Sequence, residues 1–454
     1  MKNFDVVIIG GGPGGMTAGI MLSQNGKSVA IVQMEQDSFG GTCLNRGCMP
    51  TKSMLKAATT YRHAKQAGIY GLDLEVKPVD LARVRAVADQ DIAQLREMVQ
   101  GMFAQAPITT FRGQGAFTSD HEIMITKSNG VTDLIRGETI IVATGSQPVE
   151  LPFAPFDGRH ILSSDHLLRN TELPETMLIV GGGAVGCEFA TLYNTFGSKI
   201  ILVEALASLI PREDREAGKM LQSAFENQGL TVKTQTRIER LEISQDKVRV
   251  HYVGDAATDT VDKVLVAIGR RPNIEHLNLQ AAGVVTEKGA IKVNPSLQTN
   301  IPHIYALGDV ISGMSLAHSA EKEGQVLAMN LLNGTENRMN VGTVPRVAFC
   351  HPEVAAIGVT EADAGIKILT LPQVPNGRAL VDKVAPAFMK LFVDEKTERI
   401  AGAVIIGEAA TEMIHELALA MENNLTLGQI AQTVHVHPTH SKNILHAVQH
   451  ALHG

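Results

Sequence analysis

Two cysteines, Cys43 and Cys48, stand five residues apart in GGTCLNRGCMPTK, the stretch from Gly40 to Lys52. Such a pair can be two unrelated buried thiols, half of a zinc site, or a redox-active disulfide. Zinc-binding pairs usually enclose about two to four residues, and the other cysteines, Cys187 and Cys350, are far off in sequence. The stretch reads as the start of a helix, where a thiolate is stabilised and stays reactive. A redox pair fits that position best, whereas Cys187 and Cys350 read as small buried hydrophobes.

Two glycine-rich stretches offer a second kind of chemistry. GGGPGG fits G-x-G-x-x-G at Gly10, Gly12 and Gly15, and GGGAVG fits it at Gly181, Gly183 and Gly186. Bare backbone there lets N–H groups and a helix N-terminus approach a pyrophosphate. In the second stretch Glu204 ends KIILVE, where an acidic residue bonds ribose hydroxyls and repels a 2′-phosphate. That favours NAD over NADP. The matching position in the first stretch is Gln33, with Glu35 two residues on, and either can bond a ribose hydroxyl.

The third constellation is HVHPTHSKNILHA, His435 to Ala447. His435 and His437 could share a strand face, but no carboxylate or cysteine adjoins them, so a metal is not expected. Acid–base work suits an imidazole that titrates near neutrality.

These residues need elements to hold them. FDVVIIG and KSVAIVQ are short apolar runs separated by a helix-length segment, and TMLIVGGGAVG and KIILVEA repeat the pattern. Two βαβ units imply two nucleotide-binding modules. Leu81, Val84, Ala88, Ile92, Leu95 and Val99 step by three and four, the stripe of an amphipathic helix. Short apolar runs from Ile108 to Val149 suggest a meander of strands. The chain turns helical from Thr411 onward.

A length of 454 residues allows about three domains. A net charge of −7 with no basic block argues against nucleic acid as a partner. No apolar run approaches a membrane span, and the N-terminal run lacks a signal-peptide pattern. Four cysteines cannot frame a chain this large with disulfides. The expected compartment is the cytoplasm.

The chain resembles the flavin-dependent pyridine nucleotide-disulfide oxidoreductases, most closely their dihydrolipoamide dehydrogenase branch. The resemblance spans essentially the whole sequence. It rests on GGTCLNRGCMPTK, IIVATGSQP, VAIGRRPN, IYALGDV, LAHSAEKEG, CHPEVAAIGVTE and HVHPT. It implies an α/β fold of two Rossmann-like dinucleotide-binding domains plus a C-terminal α+β dimerisation domain. Residues 1–146 and 271–338 would bind FAD, 147–270 NAD, and 339–454 would form the interface of a homodimer whose active site is shared between subunits.

By the same resemblance, Cys43 is the interchange thiol, Cys48 packs on the flavin, and Lys52 lies near it and pairs with Glu188. FAD would involve Gly10, Gly12, Gly14, Gly15, Gln33 or Glu35, Thr42, Thr144, Gly145, Asp309, Ala317 and His318. NAD would involve Gly181, Gly183, Gly186, Glu204 and Gly269. His437 would serve as acid–base group for the partner's cysteine pair. The implied substrate is dihydrolipoamide or a lipoylated carrier protein.

One departure stands out. The family motif continues HPTxSE, with a glutamate that orients the histidine, and here Lys442 takes its place. A cation there disfavours the imidazolium, so a slow enzyme is expected. Lys442 could instead meet an acidic carrier protein, an idea that docking unchanged by Lys442→Glu would refute. Alternatives are a reductase of another disulfide or of a specialised lipoyl carrier, or a weakly active flavoprotein that docks a lipoylated partner.

Overall fold

The computed structural model describes residues 1–34, 39–361, 364–371 and 376–453. The chain divides into two compact units. The first comprises Met1–Ser53, Arg85–Val149 and Gly269–Met339, and the second Met54–Val84, Glu150–Ile268 and Asn340–Gly454.

In the first unit the FDVVIIG run lies in strand β1 (Lys2–Ile9) and leads into helix α1 (Pro13–Gln24). Strand β2 (Val29–Gln33) returns parallel to β1. Consecutive residues Val6 to Ile9 are all buried, so both faces of β1 are covered, as a parallel sheet requires. Helix α2 (Gly41–Arg46) and helix α3 (Cys48–Lys65) follow, then helix α4 (Leu81–Gln105). All six residues of the stripe are buried or half-buried along α4, as its helical periodicity predicts.

The sheet continues with β3 (Ile108–Arg112), β4 (Gln114–Phe117), β5 (Glu122–Thr126) and β6 (Thr132–Val142). Its order is β3-β2-β1-β6-β5-β4, with the strand Ile304–Ala306 also on β6. The helix Ala317–Asn333 packs on α1 backbone to backbone. A Cβ on Gly14 would collide with the Ala320 carbonyl, and one on Gly324 with the Gly14 carbonyl. Only small residues permit that crossing.

The second unit repeats the plan. Its parallel sheet runs Thr231–Lys233, Lys199–Val203, Thr176–Val180, Lys263–Val266 and Ile161–Leu162, in that order. A three-stranded antiparallel sheet adjoins it in sequence, with the middle strand Lys247–Tyr252 alternating exposed and buried residues. The C-terminal part is a five-stranded antiparallel sheet from Arg346 to Ile406. Met389, Leu391 and Ile405 from this sheet share one core with Met413, Ile414 and Leu417 of the helix Ala410–Glu422 and with Ile444 and Val448 of the helix Lys442–His453. Each such buried side chain contributes about 1.5–3 kcal/mol. Among the described residues no helix is long and apolar enough to cross a membrane.

Candidate functional site

The chain leaves β1 at Gly10, whose φ of 112° suits glycine and strains other residues. Its N–H donates to the Val32 carbonyl at 2.9 Å, and a Cβ there would collide with the Ala143 carbonyl. The Gly11 N–H donates to Gln33 Oε1. Gly12 caps α1 and faces open space: a Cβ on it would meet nothing within 4 Å. Gly15 is packed too closely against the Gly10 carbonyl for any side chain.

The second loop reproduces this. Gly181 has φ 111° and donates to the Val203 carbonyl at 2.8 Å. The Gly182 N–H donates to Glu204 Oε2 at 2.7 Å, and Oε1 accepts the Leu206 N–H at 2.8 Å. Gly183 caps the helix Ala184–Phe196 and again faces open space, while Gly186 packs on the Gly181 carbonyl. Each loop therefore leaves an opening at a helix N-terminus, which fits a dinucleotide pyrophosphate. Glu35 lies outside the described residues.

Further first-unit residues gather around Asp309, which sits in the short turn Gly308–Val310. Its carboxylate accepts the Ser146 hydroxyl at 2.5 Å. Arg270 donates to the same hydroxyl and to the Ser146 carbonyl, both at 2.8 Å. Glu323 accepts the Gly308 N–H at 2.7 Å, and burial raises its carboxyl above the ordinary range. Ser146, Arg270 and Glu323 are site residues that sequence reasoning passes over, although each lies within a stretch that it quotes. Thr144 donates to the Asn273 carbonyl at 2.8 Å, and Gly145, at φ 70°, accepts the Asn273 N–H. Gly269, at φ 132°, accepts the Val149 N–H. Ala317 and His318 open their helix, whose N-cap Leu316 makes no side-chain cap hydrogen bond.

Cys43 lies in α2 and Cys48 opens α3. Gly47 joins the two helices so tightly that a Cβ on it would stand 2.9 Å from the carbonyl of Thr42. Neither is in a disulfide in this structure. A hydrogen bond with Cys48, and then burial, holds the Cys43 thiol far above its ordinary range, while Lys52 pulls the other way. In the second unit Glu188 is 6% exposed and accepts the Phe349 N–H at 3.0 Å. Cys187 and Cys350 are buried, and burial pushes both thiols up, which suits inert packing groups.

The histidine cluster separates into three different environments. His435 Nε2 meets Glu416 Oε1 at 2.7 Å, and His440 Nε2 meets Asp382 Oδ2 at 3.0 Å. His437, between them, is exposed, and its Nδ1 faces Lys442 Nζ at 3.5 Å. The lysine stands at the nitrogen that the family glutamate would orient. Elsewhere, Asp120, His121 and His303 could group around a metal, but the two rings stack at 3.8 Å and 3°. Stacking keeps the in-plane lone pairs of the two rings in parallel planes.

Comparison with known proteins agrees across the chain. Residues 4–324 match the family model "Pyridine nucleotide-disulphide oxidoreductase", and residues 344–448 match its dimerisation domain. A dihydrolipoyl dehydrogenase of Bacillus subtilis is 36% identical, covering 98% of this chain and 97% of that protein. One of Thermus scotoductus is 38% identical, covering 100% and 98%. Among solved structures, LpdA from Mycobacterium tuberculosis is 26% identical with a TM-score of 0.92, covering 99% of this chain and 100% of that one. The HOCl-induced flavoprotein disulfide reductase RclA from Escherichia coli, as its Cu(II) complex, is 29% identical with a TM-score of 0.88 and covers 99% of each chain.

Proposed function

Since the chain belongs to the pyridine nucleotide-disulphide oxidoreductase family, we propose that it oxidises dihydrolipoyl groups with NAD through a Cys43–Cys48 disulfide. It is a flavoprotein oxidoreductase, and its cofactors are FAD and NAD. The observation that carries the reading is the hydrogen-bonded Cys43–Cys48 pair across the junction of α2 and α3, in the unit that holds the first glycine loop.

The first loop, with Gln33, Thr42, Thr144, Gly145, Asp309, Ala317 and His318, would hold FAD, and the second, with Glu204 and Gly269, would hold NAD. Bound, the two cofactors supply two-electron transfer from the reduced cysteine pair to the nicotinamide. The chain's own residues do the rest. His437, lent by one subunit of a homodimer to the other, accepts a proton from a dihydrolipoyl thiol. The resulting thiolate attacks Cys43, the Cys43–Cys48 bond breaks, and Cys48 leaves as a thiolate. The substrate's second thiol then attacks its own first sulfur, closing the ring, and its proton passes to Cys43 as that sulfur is expelled. Lys52 keeps a positive charge beside the pair.

The Lys442 contact favours a second reading, reduction of another disulfide. An ammonium only donates, so Nδ1 of His437 accepts in that contact and the neutral ring carries its proton on Nε2. Taking a thiol proton at Nε2 requires the other tautomer. A general base typically contributes about 10² to 10⁴ in rate, so dihydrolipoamide should be a slow substrate that Lys442→Glu speeds up. The test compares dihydrolipoamide with NAD⁺ against a panel of disulfides with NADH, in both proteins. A fast wild type slowed by the substitution supports the lipoyl reading with His437 oriented by another route. Faster turnover of a different disulfide supports the second.

A further inference from the structure

The second unit contains a cavity of about 550 Å³, within the range of small-ligand sites, about 300–1,000 Å³. It lies between the C-terminal end of α3, the helix Arg215–Asn227 and the residues around Phe388 and Gly407. Phe388, Met220 and the ring of Tyr70 make much of its wall apolar. The Tyr70 hydroxyl donates to the Asp382 carbonyl at 2.6 Å, which fixes the ring.

Arg62 also lines this cavity, and its guanidinium is half-buried. The guanidinium makes no hydrogen bond or ion pair with any described residue. Burial weakens its hold on its proton, opposed by the fields of Glu408 and Glu353. Two acids on the wall already have cations: Glu216 pairs with Lys390 at 2.8 Å, and Asp382 with Arg378 at 2.6 Å and His440 at 3.0 Å. Lys219 and Lys383 also line the cavity, are exposed, and have no ion pair among the described residues. Lys390 is shared between Glu216 and the buried Asp214, so the wall sets three cations without an ion pair, Arg62, Lys219 and Lys383, against Glu408 and a half-compensated Glu216. His351 adds no charge at neutral pH, because burial, Arg62 and His63 hold its ring down to about 4.

We propose that this cavity binds a small organic carboxylate, its apolar body against Tyr70, Met220 and Phe388 and its carboxylate on the Arg62 guanidinium. The two groups match in two parallel N–H···O bonds. A single negative charge suits the site better than two, because Glu408 and Glu353 already act on Arg62.

The test uses the FAD-loaded enzyme saturated with NAD⁺, so that the nucleotide site is closed to competitors. Calorimetric titration with sodium benzoate at low ionic strength should saturate at one per chain. Arg62→Met should weaken it about tenfold or more, and Lys383→Met about twofold. Inorganic phosphate is the second probe and should not depend on Arg62. Turnover of both variants reports their folding. A flat benzoate isotherm overturns the proposal, as does equal benzoate affinity in an active Arg62→Met. Arg62-dependent phosphate binding without benzoate binding overturns it too, since the site would then serve an inorganic anion. If Arg62→Met does not fold, unchanged affinity in Lys383→Met has the same consequence.

Discussion

Gly10–Gly15 and Gly181–Gly186 share their backbone hydrogen bonds, and they differ in the side chain that closes each loop. In both, the first glycine has a positive φ and donates to the strand alongside, and the third faces open space at a helix N-terminus. The middle glycine's N–H is taken by the residue ending the next strand, Gln33 in one and Glu204 in the other. An amide serves as acceptor without adding charge. A carboxylate, 7% exposed and bonded to two N–H groups, would repel a 2′-phosphate brought beside it. The scaffold is therefore common to both, and on the proposed reading selectivity between nucleotides would reside in the strand-end residue.

Filling the turn should have the largest effect. Gly10→Val and Gly181→Val each set a β-branched residue at positive φ, a strain of about 1–3 kcal/mol before any clash with the facing carbonyl. Gly10→Val should lose flavin absorbance, whereas Gly181→Val should keep it and lose NAD-linked turnover. Flavin loss from the Gly181 variant would break the comparison.

Next comes a difference between the units themselves. In the second, His351 is held down to about 4 from an ordinary 6.5. As pH falls below 6.5 the unfolded chain takes up the proton first. The stability that the neutral ring contributes is therefore whole above 6.5 and drains away toward 4, by at most about 3 kcal/mol. Denaturation midpoints across that window should slope less in His351→Gln; equal slopes would remove the effect.

Glu204→Gln makes the second loop a copy of the first. One N–H loses its acceptor, which costs about 1–2 kcal/mol, so NAD⁺ should bind about tenfold more weakly and discrimination against NADP⁺ should relax. Kinetics with the two nucleotides measure both, and an unchanged preference would move selectivity elsewhere. Gln33→Glu is the smallest step. It keeps the acceptor, and flavin retention should change by less than about 1 kcal/mol, read by equilibrium dialysis.

What the sequence disclosed follows from how far each signal reaches. The glycine loops, Glu204 and the cysteine pair are local patterns on a strand–turn–helix, and the α4 stripe shows in its own periodicity. Lys442 and His437 are five residues apart, so their contact was also legible. The cluster of Asp309, Ser146 and Arg270 was not, because it joins residues 163 and 124 positions apart. Nor does sequence assign Glu416 to His435 or Asp382 to His440, since each carboxylate arrives from another element. Spacing could raise the histidines as a group, but only folding separates the two that face acids from the one that faces a lysine.

The most direct test measures NAD⁺ reduction by dihydrolipoamide in the wild-type protein and in Cys48→Ser at equal flavin content. Measurable turnover that vanishes in the variant, with flavin retained, is the expected result. No turnover in the wild type, or the same rate in both proteins, would contradict dihydrolipoyl oxidation through the cysteine pair.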